Sequence, residues 1–144
     1  MKKEILPAVA AVIFDEQGAV LLQKRKDVNQ WGLISGHVEF GETVENAILR
    51  EIFEETNVSA TITRFIGVYS LPDTQTYHYP GKTVQYITSY FEARLDGRIT
   101  DNFSNEETSE LRFFRPDEIP TELALLNPDW LNDALDRSGS VFIR

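Results

Sequence analysis

The sequence predicts a layered α/β domain. Three observations carry that prediction: apolar runs of strand length recur along the chain, two segments repeat their apolar residues at helical spacing, and turn residues separate the segments at short intervals. Ile5–Phe14 is continuous in apolar residues, the pattern of a strand buried on both faces. Asp15-Glu16-Gln17-Gly18 is a turn, and Ala19–Lys24 resumes as a second strand, which predicts a hairpin. Trp31–Glu42 holds Gly32, Gly36 and Gly41 and reads as a structured loop with short strand pieces. A helix follows from Thr43 to about Thr56, with Thr43 as its cap. Val58–Tyr69 alternates in part and reads as a strand, and Leu71–Lys82, with Pro72, Pro80 and Gly81, reads as a surface loop. Val84–Leu95 is a strand closed by Asp96-Gly97, and Leu111–Arg115 is a short one. Pro128–Leu135 is the second helix, with Asn127 as its cap.

Composition bounds the function. A chain of 144 residues reads as one domain, 1–144, able to bury roughly 68–70% of its unfolded surface. It has no cysteine, which excludes a disulfide framework and a cysteine-based zinc site. Hydrophobic content of 42% argues against disorder. Lys and Arg number 14 against 23 Asp and Glu, a net charge of −9. That balance opposes a broad nucleic-acid surface, and an anionic substrate would need a bound cation to offset the repulsion. No run of 18 apolar residues exists to span a membrane. Met1-Lys2-Lys3 precedes an apolar stretch, as in a secretory signal, but Glu4, Pro7 and the turn at 15–18 favour a strand, so the expected compartment is the cytoplasm.

The first helix carries the chemistry. At about 100° per residue, Glu51, Glu54 and Glu55 fall within roughly 100° of arc. Ile48, Leu49, Ile52 and Phe53 occupy the neighbouring face, which packs on a core. Like charges at these spacings destabilise a helix by a few tenths of a kcal/mol each, and partial burial raises their pKa values. A hard divalent cation relieves both effects, and Mg²⁺ takes carboxylate oxygens while keeping waters for substrate phosphates. Arg50 stands four residues before Glu54 and is placed to orient it. Glycines at 36 and 41 let the backbone come close to an ion. A Glu-Glu pair alone is more often a solvated face.

The spacing of the whole segment decides between these readings. Gly36, Glu42, Arg50, Glu51, Ile52, Glu54, Glu55 and Val58 fit G-x5-E-x7-R-E-U-x-E-E-x-G-U, with U aliphatic. On this segment the chain resembles the Nudix hydrolase family, MutT-like proteins included, and a chance match is on the order of one in a million or rarer. Two positions depart: Asn57 replaces the glycine after the helix, and Ile34-Ser35-Gly36 stands where many relatives have Pro-Gly-Gly. Asn also takes the left-handed conformation that ends a helix. The resemblance is specific over about 23 residues and looser over roughly 120. It implies an α/β/α sandwich around a mixed β-sheet. It also implies hydrolysis of a phosphoanhydride bond in a nucleoside diphosphate linked to another moiety, using Mg²⁺ or Mn²⁺. By the same resemblance Glu51, Glu54 and Glu55 are metal ligands, joined by the backbone carbonyl of Gly36. Arg50 orients the acids, Glu42 contributes less, and one of the acids orients or deprotonates the attacking water. Many relatives take a further catalytic acid from a late loop. Here Asn105-Glu106-Glu107-Thr108-Ser109-Glu110 is either the source of that acid, with Glu107 chosen ahead of Glu106 and Glu110, or an ordinary acidic turn.

Other side chains admit two readings. Arg25, between Lys24 and Lys26, is either a phosphate contact or a solvated edge-strand cation. Tyr77, His78, Tyr79 and Tyr86 either meet a base or ribose or fill the sheet, and His37 either touches a phosphate or bonds locally. Among these, Arg25, His37, Tyr79 and Tyr86 are the candidate substrate contacts. The expected partner is a small nucleotide-type molecule, with no nucleic acid and no membrane, and a homodimer is left open. The alternative function is a non-catalytic nucleotide-binding or sensing module of the same fold. Such modules tend to lose acids from the signature, and this chain keeps all of them.

Overall fold

The computed structural model describes every residue, Met1–Arg144. In chain order the elements are β1 (Lys2–Ile13), β2 (Val20–Arg25), β3 (Trp31–Gly32), β4 (Ile34–His37), α1 (Val44–Thr56), β5 (Ala60–Tyr69), α2 (Pro72–Gln75), β6 (Thr76–Tyr79), β7 (Lys82–Leu95), β8 (Thr108–Phe114), α3 (Trp130–Leu135) and β9 (Phe142–Ile143). A mixed sheet runs in the order β4-β1-β7-β5-β9, with β6 also paired to β7, and a second sheet runs β3-β2-β8. β7 is the spine of the larger sheet. β1 lies parallel along it from Lys2↔Lys82 to Ile13↔Ala93. Its other edge is shared by β6 and then β5, both antiparallel.

Period-2 alternation in β1 explains the layering. Val9, Ala11 and Ile13 face a core shared with Ala47, Ile48 and Ile52 of α1. Ala10 and Val12 face the opposite core, with Trp31, Tyr90 and with Trp130 and Ala134 of α3. A helix on each face of a mixed sheet is the expected α/β/α sandwich. None of its helices is long and apolar enough to cross a membrane.

Several local expectations are corrected. β1 and β2 form no hairpin ladder; only the bridge Phe14↔Val20 joins them. β4 and β7 occupy the edges of β1, so the chain leaves that sheet at the 15–18 turn and starts another. Burial on both faces begins only at Ala8, and Ile5 is exposed. The segment 71–82 is not a plain loop. After the short α2, β6 folds back on β7 around Pro80-Gly81, where Gly81 supplies φ +82°. The last helix starts at Trp130, not Pro128, and Asn127 does not cap it. Its side chain instead accepts the Asp129 N–H, and its carbonyl accepts that of Trp130. Phe53, assigned to the packed face of α1, is half exposed.

β9 closes the sheet by pairing with β5 at Gly67↔Phe142. A Cβ at Gly67 would sit 2.1 Å from the Phe142 carbonyl oxygen. Gly67→Ala should therefore lift β9 from the edge and cost about 1–3 kcal/mol, the usual effect of overpacking. Urea unfolding reads this, and an unchanged midpoint would refute it.

Candidate active site

The site is assembled on α1. Thr43 caps the helix as expected, its hydroxyl accepting the Asn46 N–H at 3.0 Å. At the other end Asn57 takes φ 60° and its N–H closes on the Phe53 carbonyl, so asparagine performs the helix stop. Between these ends, Ala47, Ile48 and Ile52 are fully buried, which fixes the rotation of the helix and presents its acidic edge to β4 and β8.

Arg50 is the hub of that edge. Its Nε donates to Glu42 Oε2 at 2.7 Å, and its Nη2 to Glu42 Oε1 and the His37 carbonyl, both at 3.0 Å. Nη1 donates to Glu51 at 2.9 Å and to both oxygens of Glu54 at 3.3 Å. The expected Arg50–Glu54 pair is present, but the stronger partner is Glu42, held by two donors of the planar fork. Glu42 also accepts the Glu39 N–H. Its carboxyl is consequently held below the ordinary range, by Arg50 first and Glu39 second.

Glu51 lies against β4. A Cβ on Gly36 would sit 2.2 Å from the Glu51 carboxyl carbon, so the absent side chain leaves the space that this carboxylate fills. Burial pushes the Glu51 pKa up, against the pull of Arg50. Glu54 is half exposed at the rim. Glu55 is buried and turned toward β8, where the Thr108 hydroxyl donates to Oε2 at 2.6 Å. Burial raises its pKa too; the Thr108 bond opposes this, and the Glu107 carboxylate beside it adds to it. Glu51, Glu54 and Glu55 do not close on one point: Arg50 holds the first two, and Thr108 holds the third. The donor set nevertheless suits a hard cation: only carboxylate and carbonyl oxygens, two of the acids destabilised as anions, and one seated against Gly36, which has no Cβ.

The other candidates fall in two groups. Near Glu55, the Asn105 side chain accepts the N–H groups of Glu107 and Thr108 and donates to the Glu54 carbonyl, tying the 105–108 turn to the end of α1. This turn brings Glu107 to Glu55, whereas Glu110 pairs with Arg112. The Arg25 guanidinium is clamped by Asp27, and the charges of Glu107 and Glu55 also act on it. At the other end of β4, the His37 ring stacks on Tyr86 and shares a 3.0 Å hydrogen bond with it; Tyr86 shares another with Tyr79. His78 lies apart, bonded to Thr83, and Trp31 belongs to the core. Sequence reasoning missed Thr108 and Gln23, two polar side chains buried beside Glu55. A cleft of about 1240 Å³ between the 97–104 segment and β8 is lined by none of the α1 acids, so charge and not volume marks the site.

Comparison with known proteins gives the family. The chain matches the NUDIX domain over residues 4–134. A Bacillus subtilis protein provisionally named an 8-oxo-dGTP diphosphatase is 45% identical over 122 residues, covering 85% of this chain and 74% of that protein. An RNA pyrophosphohydrolase of Novosphingobium aromaticivorans is 28% identical over 128 residues, covering 79% of this chain and 80% of that protein. The crystal structure of an ADP-ribose pyrophosphatase from Streptococcus suis superposes with a TM-score of 0.76 at 23% identity, over 95% of this chain and 96% of that one. The chain belongs to the NUDIX domain family and is one of its pyrophosphohydrolases.

The raised Glu55 pKa gives a stability prediction. Between the ordinary 4.5 and its raised value the folded chain holds a proton that the unfolded chain releases. Metal-free stability therefore falls as pH rises through that window. Glu55→Gln should melt above the wild type at pH 8 in EDTA, with the gap closing toward pH 4. Melting curves that differ equally at both pH values would contradict the assignment.

Proposed function

We propose that this chain hydrolyses a phosphoanhydride bond in a nucleoside diphosphate linked to another moiety, with Mg²⁺ as the metal and Mn²⁺ as a substitute. Candidate substrates are a nucleoside triphosphate, ADP-ribose or a dinucleoside polyphosphate. One observation supports this reading above the others: the Glu51 carboxylate occupies the space of the missing Gly36 side chain while Arg50 holds it. That arrangement seats a partly buried anion against the backbone of β4, which a cation makes favourable. Glu51, Glu54, Glu55 and the Gly36 carbonyl are the residues that would hold the ion. Bound there, a divalent metal spreads the charge of the diphosphate and lowers the pKa of a water.

The chain's own groups divide the remaining work. Arg50 keeps Glu51 and Glu54 in fixed orientation through a guanidinium whose donors are all engaged. Glu107, exposed on its turn beside Glu55, accepts the proton of the attacking water. Arg25, facing the same acids, offsets charge on a substrate phosphate. His37, Tyr86 and Tyr79 form a ring surface that begins one residue beyond Gly36, suited to a ribose or base. The net charge of −9 favours a small substrate neutralised by its metal over a long polyanion.

The test is a panel of 8-oxo-dGTP, dGTP, ADP-ribose, a dinucleoside polyphosphate and 5′-triphosphate RNA with Mg²⁺. Products are identified by mass spectrometry in ¹⁸O-water, which also gives the phosphorus attacked. Glu54→Gln and Gly36→Ala should each lose about 10²-fold or more in kcat/KM on every substrate turned over. Undiminished activity in both variants would end the metal assignment, and turnover of the RNA alone would end the small-substrate reading.

A further inference from the structure

Thr108 is fully buried, and so nearly is Gln23 on the neighbouring strand β2. Their side chains meet Glu55 in one row: Thr108 Oγ1 lies 2.6 Å from Glu55 Oε2 and 3.2 Å from Gln23 Oε1. A threonine hydroxyl has one hydrogen, so it cannot donate to both oxygens. The shorter contact, to the carboxylate, takes it. Turning the Gln23 amide about its axis then places Nε2 against Thr108 Oγ1, since the amide oxygen and nitrogen are assigned by the bonds they make. The result is a directed chain in which Gln23 donates to Thr108 and Thr108 donates to Glu55. Such a chain terminates on an anion and strengthens along its length.

The threonine is itself fixed. Its N–H donates to the Asn105 side chain, and its carbonyl accepts the Asn105 N–H. The hydroxyl therefore has little freedom to follow Glu55; it sets where Oε2 stands. Burial of three polar side chains at this point needs a reason, because an unpaired member costs about 1–3 kcal/mol and an apolar trio would cost nothing.

We propose that Thr108, supported by Gln23, is a positioning residue that aims the Glu55 carboxylate at the metal, an inference that rests on the pyrophosphohydrolase reading above. Thr108 touches neither substrate nor ion. It acts by holding one oxygen of Glu55, leaving the other directed to the site.

Thr108→Val keeps the shape and removes the hydroxyl, Thr108→Ser keeps the hydroxyl, and Gln23→Met removes the outer donor. Mn²⁺ binding without substrate, followed by the electron paramagnetic resonance of the free ion, is the first measurement. Thr108→Val should weaken it about 10–100-fold, the range for groups that orient a metal ligand. Thr108→Ser should return to within about threefold of the wild type, and Gln23→Met should fall between. On the best substrate of the panel, Thr108→Val should lower kcat at saturating metal while leaving KM within about twofold. Where Thr108→Val does not fold, Thr108→Ser and Gln23→Met carry the same comparison. Wild-type Mn²⁺ affinity in a folded Thr108→Val, or in Gln23→Met, overturns the proposal. A wild type that binds no Mn²⁺ and turns over nothing overturns the pyrophosphohydrolase reading itself.

Discussion

The guanidinium of Arg50 holds the site together. It has five N–H donors and uses them on Glu42, the His37 carbonyl, Glu51 and Glu54. These partners come from the loop before α1, from β4 and from α1 itself, so one planar cation fixes the relative placement of three parts of the chain. Four glutamates within reach of one another would otherwise repel, at a few tenths of a kcal/mol for each helical pair and more where they are buried. Arg50 offsets that repulsion by setting one cation among them, with hydrogen bonds of 2.7–3.3 Å to three of the glutamates. A lysine, with a point charge and three rotatable donors, could not hold the same four partners in one plane.

The fold prepares for this by making α1 immovable on its apolar side. Ala47, Ile48 and Ile52 have no exposure, and the sheet residues beneath them, Val9, Ala11 and Phe91, are packed to match. A rotation of the helix would break that contact, so the acidic edge cannot turn to water. The consequence is a division across the helix: its apolar face supplies stability, and its acidic edge consumes some of it. Glu51 and Glu55 are held where burial disfavours their charge. Regions of this kind are where a fold gives up stability for function.

The parts legible in the sequence were those set by short-range rules. The span of α1, its Thr43 cap, its Asn57 stop and the boundary of β7 follow from periodicity and turn chemistry within a few residues. The failures depend on distant partners. The turn at 15–18 looks like a hairpin because local signals cannot show that β4 and β7 occupy the edges of β1. The role of Glu42 was understated because its contact spans eight residues, around a loop that Gly41 reverses at φ +92°. The resemblance points only to the late loop, and the turn built on Asn105 gives the physical reason to prefer Glu107 within it. Thr108 and Gln23 give no signal: Thr108 falls in a polar stretch that reads as a loop before Leu111, and Gln23 is a polar residue in a strand, which reads as solvent-facing until its pairing places it inside.

The 105–108 turn shows how the second sheet serves the first. Without β8 there would be nothing opposite the end of α1, and Glu55 would face water. β8 pairs with β2 and enters at Thr108, so the short sheet delivers a hydroxyl, an amide and the Glu107 carboxylate to one side of that helix end. Asn105 then ties the turn to the Glu54 carbonyl, joining the loop to the helix end. The departure of β2 from β1 at the 15–18 turn is what allows this. Had β2 stayed in the large sheet as a hairpin partner, Gln23 would lie too far from α1 to support Thr108, and the acidic edge would have Arg50 on one side and nothing on the other.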